Sequence, residues 1–339
     1  MAEETEKVER VVRGGATMYP RENPRPEPLA FSEVFREFAI SSVRGPAIAT
    51  VLTQLVHPYY AQWYKNFRAS GRTDADAFTW AMGGVHTVVY LASFAFFEIG
   101  GQTEWLHYYQ LPRTKAQQPT TKMKVRTLIE FIVSGIFNHF LALPAAYKLF
   151  RKWGMPDGDA PLPSALKMFL TYSFSYIFNR ILFAVVHRVF HHGPLYRMFH
   201  KKHHEYVGTI SIAAENAHPI EAIGANTIPT IGGCAITGAH PLVFYLWLAW
   251  RLQQTYEAHS GYCFHGTWLH KIGLTNADST AFHDFHHTEN KGAFGCEFTD
   301  HLFGSMDRWL AIGRAEGYVR MAREQHERER LAKLEGKQQ

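Results

Sequence analysis

Long stretches without a charged side chain are the feature of this sequence that most restricts its fold. Phe78–Phe97 contains no Asp, Glu, Lys or Arg over 20 residues, and Phe131–Tyr147 contains none over 17. Met168–Val186 is interrupted only by Asn179 and Arg180. A helix of about 20 apolar residues crosses the hydrocarbon core of a bilayer. These runs predict an all-α, polytopic membrane protein, and a large soluble helical bundle is the alternative.

Two further uncharged runs contain residues that disfavour a continuous helix. Pro46–Tyr64 is uncharged over 19 residues, but His57 precedes Pro58 within it. The residue before a proline avoids the helical conformation, so we expect a helix to break at this pair. Ala222–Trp250 is uncharged over 29 residues and contains the sequence Gly-Ala-His-Pro at 238–241. This pattern predicts a helical hairpin that dips into the bilayer, with its turn at 238–241.

The composition of the chain ends predicts three regions. Residues 1–35 contain several glutamates and then several prolines, which predicts a flexible N-terminal tail. Residues 36–315 hold the apolar runs and most histidines, and we expect them to form the membrane domain. Residues 316–339 are highly charged and predict an exposed C-terminal helix or tail.

The net charge of +5 raises the question of a nucleic-acid partner. No helix-turn-helix, zinc-finger or RNA-binding motif is present in the sequence, so we expect none. A basic cytosolic face against anionic lipid explains the charge as well. Five basic residues lie between Arg113 and Arg126, and such loops face the cytosol.

Histidine is concentrated in one part of the chain, since 15 of the 20 histidines lie between His187 and His301. Nine of them form an HxxxH motif, two HxxHH motifs and a single histidine in the sequence His-Ser-Gly-Tyr. Spacings of three and four residues place imidazoles on one face of a helix. Nine imidazoles exceed the four ligands of one zinc ion, so the pattern predicts two metal ions. Imidazole binds Zn, Cu, Fe and Ni, and the ligand type alone does not select iron. The predicted ligands are His187, His191, His200, His203, His204, His259, His283, His286 and His287.

These motifs resemble those of the membrane fatty acid hydroxylase and sterol desaturase superfamily. The resemblance covers roughly residues 125–310, and it is strongest to the C-4 methylsterol oxidases. Its matching stretches are 137–140 (FNHF), 187–205 (HRVFHHGPLYRMFHKKHHE), 217–221 (AHPIE), 230–233 (TIGG), 251–254 (RLQQ), 259–262 (HSGY) and 283–287 (HDFHH).

The resemblance implies a helical membrane enzyme with a cytosolic, histidine-rich di-metal site. Such enzymes hold two non-heme irons and use O2 together with electrons from NAD(P)H, which arrive through cytochrome b5 and its reductase. The implied activity is hydroxylation of an unactivated C–H bond of a sterol, at a C-4 methyl group, or of a related polycyclic lipid. The implied location is the endoplasmic reticulum membrane, with several spans and cytosolic termini. It implies no catalytic residue besides the metal ligands.

Several positions depart from the family pattern. The family has an acidic residue and aromatic residues just before the first histidine motif, where this chain has Asn179, Arg180, Phe183 and Ala184. The family aspartate after His-Ser-Gly-Tyr is replaced by Cys263. On a helix, a residue four positions after His259 would lie on the same face. Four further residues are candidates for orienting or supplementing the ligands, and they are His218, Glu221, Cys263 and Asp284.

Two other functions fit the same histidines. A desaturase or a hydroxylase of a long-chain fatty acyl or alkyl lipid would use the same ligand set. A zinc-binding membrane scaffold without enzymatic activity would need only part of it. Product analysis separates the first from sterol oxidation, and metal content with O2 consumption separates the second.

Overall fold

The computed structural model describes residues 29–336, and this part of the chain is helical and contains no β-strand. The predicted all-α fold is therefore confirmed. The longer helices are α1 (Phe31–Ala69), α2 (Asp74–Phe94), α3 (Thr121–Phe137), α4 (Leu143–Lys152), α5 (Ala165–Phe190), α6 (Ile228–Ile236), α7 (Pro241–His259), α8 (Ala277–Glu289) and α9 (Arg314–Gly336). Shorter α-helices are Glu104–His107, Gly193–Leu195, Pro219–Glu221, Trp268–Ile272, Glu297–Leu302 and Asp307–Ala311. Helical turns of π or 3-10 type occupy Ala95–Ile99, Gly100–Gln102, Lys115–Gln117, Asn138–Ala142, Tyr196–His200, His203–Glu205, Ser211–Glu215 and Ala222–Thr227.

Four helical stretches are long and apolar enough to cross a membrane: Phe31–Ala69, Asp74–Gln102, Thr121–Lys152 and Ala165–Phe190. Many of their outward-facing side chains are apolar. Val88, Val133 and Leu166 are 65%, 61% and 67% exposed. A soluble protein rarely exposes this much contiguous apolar surface. The chain is therefore a polytopic membrane protein, and the soluble bundle is excluded.

Helix α1 does not break where the sequence predicts. It continues for 39 residues through Pro46 and Pro58, so the expected break at His57 and Pro58 is wrong. A proline removes one backbone hydrogen bond from a helix. Within a bilayer no water is present to satisfy the backbone groups that an unwound segment would expose. The helix is therefore the less costly conformation despite its prolines.

The predicted hairpin is present as α6 and α7, with a turn in which Gly238 has φ +57°. Nε2 of His240 donates a hydrogen bond to the carbonyl of Ala160 (3.1 Å), and the hydroxyl of Tyr60 donates to the carbonyl of Gly158 (2.9 Å). The first contact holds the hairpin turn against the loop between α4 and α5, and the second holds α1 against the same loop. Trp247 of α7 is fully buried, so the hairpin packs inside the bundle.

The opposite end of the bundle gathers the histidine-rich segments. Arg314 pairs there with Glu33 at the start of α1 (2.9 Å). Tyr318, three residues beyond the predicted domain boundary at 315, is fully buried. Most of the predicted N-terminal tail lies outside the described residues, and α1 begins at Phe31, within the range 1–35.

Candidate metal centre

Four separate segments deliver the predicted ligands to one place. The end of α5, the turns that follow it, the last residue of α7 and the middle of α8 each contribute. All nine predicted histidines come together in two adjacent groups. Within each group, one ring nitrogen of every histidine lies within 4.8 Å of those of the others. The first group contains His187, His191, His200, His204 and His286, and the second contains His203, His259, His283 and His287.

The Nε2 atoms of these rings point at each other. In the first group, Nε2 of His200 lies 3.0 Å from Nε2 of His187, 2.9 Å from that of His191 and 3.0 Å from that of His204. The second group has the same arrangement. Nε2 of His283 lies 2.8 Å from Nε2 of His259 and 3.2 Å from that of His287.

The outer nitrogens of several rings face backbone carbonyls. Nδ1 of His187 lies 2.5 Å from the carbonyl oxygen of Phe294, and Nδ1 of His286 lies 2.7 Å from that of Gly292. A carbonyl oxygen only accepts, so each Nδ1 carries the proton. A neutral ring of this kind presents an unprotonated Nε2 lone pair to the centre. His259 and His287 are held in the same way, by the carbonyls of Thr255 and Tyr206.

The facing Nε2 lone pairs repel one another, and protonation of the rings does not relieve this repulsion. Burial lowers the pKa of His203 to about 4. Burial and neighbouring imidazoles lower the pKa values of His204, His283, His286 and His287 far below the usual range. The rings are therefore neutral at physiological pH, and facing lone pairs about 3 Å apart call for a cation between them. Five imidazoles in one group and four in the other fit two transition-metal ions.

Of the four residues expected to orient or supplement the ligands, Glu221 contacts the cluster. Its Oε1 accepts a hydrogen bond from Nδ1 of His200 at 2.7 Å. His218 lies nearby but caps the backbone N–H of Ile220 (3.2 Å) and touches no histidine of the two groups. Asp284 contacts no imidazole. It accepts hydrogen bonds from Arg113 and Thr209 instead.

Cys263 does not lie beside the cluster. Helix α7 ends at His259, and Gly261 has φ +75°, so the expectation that Cys263 shares a helix face with His259 is wrong. The thiol is buried and donates to the carbonyl of Ala277 at 3.2 Å. Burial raises the pKa of this thiol well above its usual range, so it is neutral.

The histidines of the second motif also depart from the expected geometry. His200 ends a π-helical turn, and His203 begins a separate 3-10 turn. They do not share one α-helical face, so this part of the spacing argument is wrong. His200 and His204 belong to the first group and His203 to the second. The third motif divides in the same way on the continuous helix α8, with His286 in the first group.

Sequence analysis missed an ion pair that links α8 to the loop containing Arg113. Nη2 of Arg113 lies 3.0 Å from Oδ1 of Asp284, and both side chains are almost fully buried. Any Cβ at Gly261 would overlap with this guanidinium, which explains glycine at that position. No sequence pattern distinguished Arg113 from the other basic residues of its loop.

A further group of possible ligands lies apart from the nine histidines. Nδ1 of His265 is 2.6 Å from Oδ1 of Asp278, and Nε2 of His270 is 3.4 Å from Oδ2 of the same carboxylate. The Asp278 side chain is 54% exposed, so this is a surface cluster.

A cavity adjoins the two histidine groups on the side of α5 and α7. Its walls include five of the nine histidines and several small or apolar residues. The lining residues outside the histidines are Arg180, Phe183, Ala214, Glu221, Ala225, Asn226, Arg251, Gln254, Thr255, Ala258, Asn276, Ser279 and Gly295.

Comparison with known proteins gives consistent results. The fatty acid hydroxylase family model matches residues 173–305. A putative methylsterol monooxygenase of Dictyostelium discoideum is 31% identical over 247 residues, which cover 68% of this chain and 88% of that protein. Methylsterol monooxygenase 2-2 of Arabidopsis thaliana is 32% identical over 65% of this chain and 82% of its own. The fatty acid hydroxylase ahd1 of Mycosarcoma maydis is 28% identical over 64% of this chain and 54% of its own. No solved structure matches significantly.

Proposed function

The chain belongs to the fatty acid hydroxylase family, and on that premise we propose that it is a non-heme di-iron monooxygenase of the membrane. The observation that carries the proposal is the convergence of nine imidazole Nε2 atoms in two groups. A scaffold with one structural zinc ion would need only four of them. When bound, the metal pair supplies the redox chemistry that activates O2 toward an unactivated C–H bond.

The residues of the chain itself hold and orient the ligands. The backbone carbonyls of Phe294, Gly292, Thr255 and Tyr206 fix the tautomers of four rings, and Glu221 fixes that of His200. Such outer partners orient the ligands of metal sites and tune their basicity. The cavity beside them borders five of the nine histidines, so a group bound in it would lie next to the centre.

The proposed reaction inserts one oxygen atom of O2 into a C–H bond and reduces the other to water. It consumes two electrons and two protons. NAD(P)H supplies both electrons and one proton, and the second proton comes from water. We propose cytochrome b5 and its reductase as the external electron donors, since the sequence contains no His-Pro-Gly-Gly heme motif.

We propose a sterol, oxidised at a C-4 methyl group, or a related polycyclic lipid as the substrate. The methylsterol monooxygenases among the relatives support this choice. A long-chain fatty acyl or alkyl lipid is the second candidate, and the fungal fatty acid hydroxylase supports it.

We also propose that both termini and the metal centre face the cytosol, from an endoplasmic reticulum membrane. The contact of Arg113 with Asp284 supports this, because it joins the basic loop to the helix of the third motif. Four crossings before His191 would return the chain to the side on which it began. Cysteine labelling at positions 115 and 290 should report the same side of the membrane, and opposite sides would refute the common face.

The decisive experiment is an assay of membranes that contain the protein, supplied with NADPH and electron donors. A C-4-dimethylated sterol and a long-chain lipid are compared under air and under argon. We expect oxidised product only under air. Product under argon would overturn the oxygenase assignment, and so would the absence of oxidised product from every neutral and acidic lipid tested.

A further inference from the structure

Two arginines line the cavity next to the histidine groups. Arg180 lies in α5, seven residues before His187, and Arg251 lies in α7, eight residues before His259. Seven residues of α-helix correspond to roughly 10 Å along the helix axis. Both cations are thus about two helical turns from the metal centre, on two helices that form the walls of the same cavity.

Neither guanidinium is paired with an acidic side chain of the described residues 29–336. Nε of Arg251 donates to the amide oxygen of Asn179 at 2.7 Å. The terminal nitrogens of Arg180 lie 3.4 and 3.5 Å from the hydroxyl of Ser279, and its guanidinium stacks on the ring of Tyr176 at 5.2 Å. All of these partners are neutral.

The carboxyl group that lines this cavity, Glu221, is hydrogen-bonded to His200. Helix α5 contains no Asp or Glu between its first and last residues. Arg113 differs from these two arginines, because its buried guanidinium lies 3.0 Å from the carboxylate of Asp284. Two partly buried like charges without a counter-ion repel each other and lose hydration, and an anion placed between them would offset that cost.

A carboxylate is the anion that fits this position. Its two oxygens match the planar donor fork of a guanidinium, and such charge-assisted pairs are short and strong. The cavity wall also includes apolar side chains, such as Phe183, Ala225 and Ala258, among its polar ones, and these suit the hydrocarbon part of a lipid.

We propose that the substrate is an acidic lipid whose carboxylate is held by Arg180 and Arg251 while its hydrocarbon part extends to the nine-histidine centre. This inference names the substrate class of the proposed oxygenase and rests on that function. Arg180 and Arg251 are binding residues in it. Among the substrates proposed above, this favours a polycyclic or long-chain acid over a neutral 4-methylsterol, which would leave both cations without a partner.

The test is equilibrium binding of matched acids and esters to the purified full-length protein under argon, without reductant. The radiolabelled probes are cholanic acid and methyl cholanate, and palmitic acid and methyl palmitate. We expect at least one acid to bind about tenfold or more tightly than its ester, because charge-assisted hydrogen bonds are lost in the ester. The pair that shows the preference identifies a polycyclic or a straight-chain substrate.

The variants Arg180→Gln and Arg251→Gln should lose the preference for the acid, and Arg180→Lys should keep most of it. The matched control is Arg36→Gln, at an exposed arginine of α1. Metal content and thermal stability are measured on every variant. If a glutamine variant fails to fold, the acid and ester comparison on the parent protein and the lysine variant decides the question.

Three results would overturn the inference: equal binding of acid and ester in both pairs, no binding of either acid, or an acid preference that survives both glutamine variants. Failure of the oxygenase assignment is seen separately. In that case the acid preference is present, but no O2-dependent product forms from any lipid.

Discussion

The carboxyl group of Glu221 accepts a hydrogen bond from Nδ1 of His200 at 2.7 Å, on the opposite side of the ring from the other histidines. Burial raises the pKa of Glu221 to about 9. A metal ion on the inner nitrogen of His200 would favour the ionised carboxylate, because the two charges attract through the ring. Glu221 is therefore a positioning residue.

We expect Glu221→Gln to lower metal affinity or activity by about 10- to 100-fold, the usual effect of removing such an outer partner. The matched control is His218→Ala, three residues earlier, since His218 touches no histidine of the two groups. Metal content after dialysis against a chelator and product formation are the measurements. An unchanged metal content together with unchanged activity would show that the contact has no influence on the centre.

Removal of a single predicted ligand should empty part of the centre without unfolding the membrane helices. His286 is fully buried, and its Nε2 lies 3.1 Å from Nε2 of His191. We expect His286→Ala to lose at least one metal ion per chain and all oxygenase activity while it inserts normally into membranes. The control is His192→Ala, at an exposed neighbour that belongs to neither group. Elemental analysis of an active parent preparation should give two irons, and less than one metal per chain would refute the di-metal centre.

The sequence predicted which histidines converge, because residues four positions apart lie on the same face of a regular helix. His283 and His287 lie one turn apart on α8 and both point to the second group. The apolar runs 78–97, 131–147 and 168–186 likewise lie in three of the four helical stretches of membrane-spanning length.

The same spacing rule did not predict how the ligands divide. Both HxxHH motifs are split between the groups. The two histidines four positions apart stay together and the one between them joins the other group, even in the continuous helix α8. The carbonyls that fix the rings, such as those of Gly292 and Phe294, depend on loop backbone. Any residue has a carbonyl, and its identity therefore carries no signal in the sequence. The pairing of Arg113 with Asp284 joins positions 171 residues apart and could not be predicted from local pattern.

The buried ion pair of Arg113 and Asp284 gives a prediction about stability. Both side chains are nearly inaccessible, and Asp284 also accepts hydrogen bonds from Thr209 (2.6 Å) and Tyr318 (2.9 Å). Removing one partner leaves the other charge buried and uncompensated, which costs about 3–5 kcal/mol. We expect Asp284→Asn to lower the free energy of unfolding by about this amount. Thermal unfolding in detergent should show it, and a stability equal to that of the parent would mean that the pair is solvated.

Cys263 should tolerate a small neutral residue but not a charge. Its thiol is buried and packs near Ala277 rather than beside the histidines. We expect Cys263→Ala to keep metal content and most activity. Cys263→Asp should destabilise the fold, because an unpaired carboxylate would be buried there. The pair of variants is compared by metal content, turnover and thermal stability. A gain of turnover on a 4-methylsterol in Cys263→Asp would instead assign this position to substrate choice.

The surface cluster around Asp278 should make stability depend on pH. A hydrogen bond to Asp278 raises the pKa of His270 above its usual 6.5. Burial alone would raise the pKa of Asp278, but hydrogen bonds from His265 and His270 outweigh it and lower that pKa well below 3.8. The contribution of His270 is complete below pH 6.5 and is lost as pH rises through its folded-state pKa. The contribution of Asp278 is complete above pH 3.8 and is lost as pH falls through its folded-state pKa.

The two contributions overlap between about pH 4 and 6.5, so the cluster stabilises the fold most in that window. We expect Asp278→Asn to lower the melting temperature by roughly 1–3 °C more at about pH 5.5 than at about pH 9, given the exposure of the carboxylate. The control is Asp307→Asn, at another exposed aspartate in the first turn of a helix. Thermal unfolding of both variants and the parent across this range is the measurement. A decrease that is the same at both pH values would mean that His270 is not charged in the folded protein at pH 5.5.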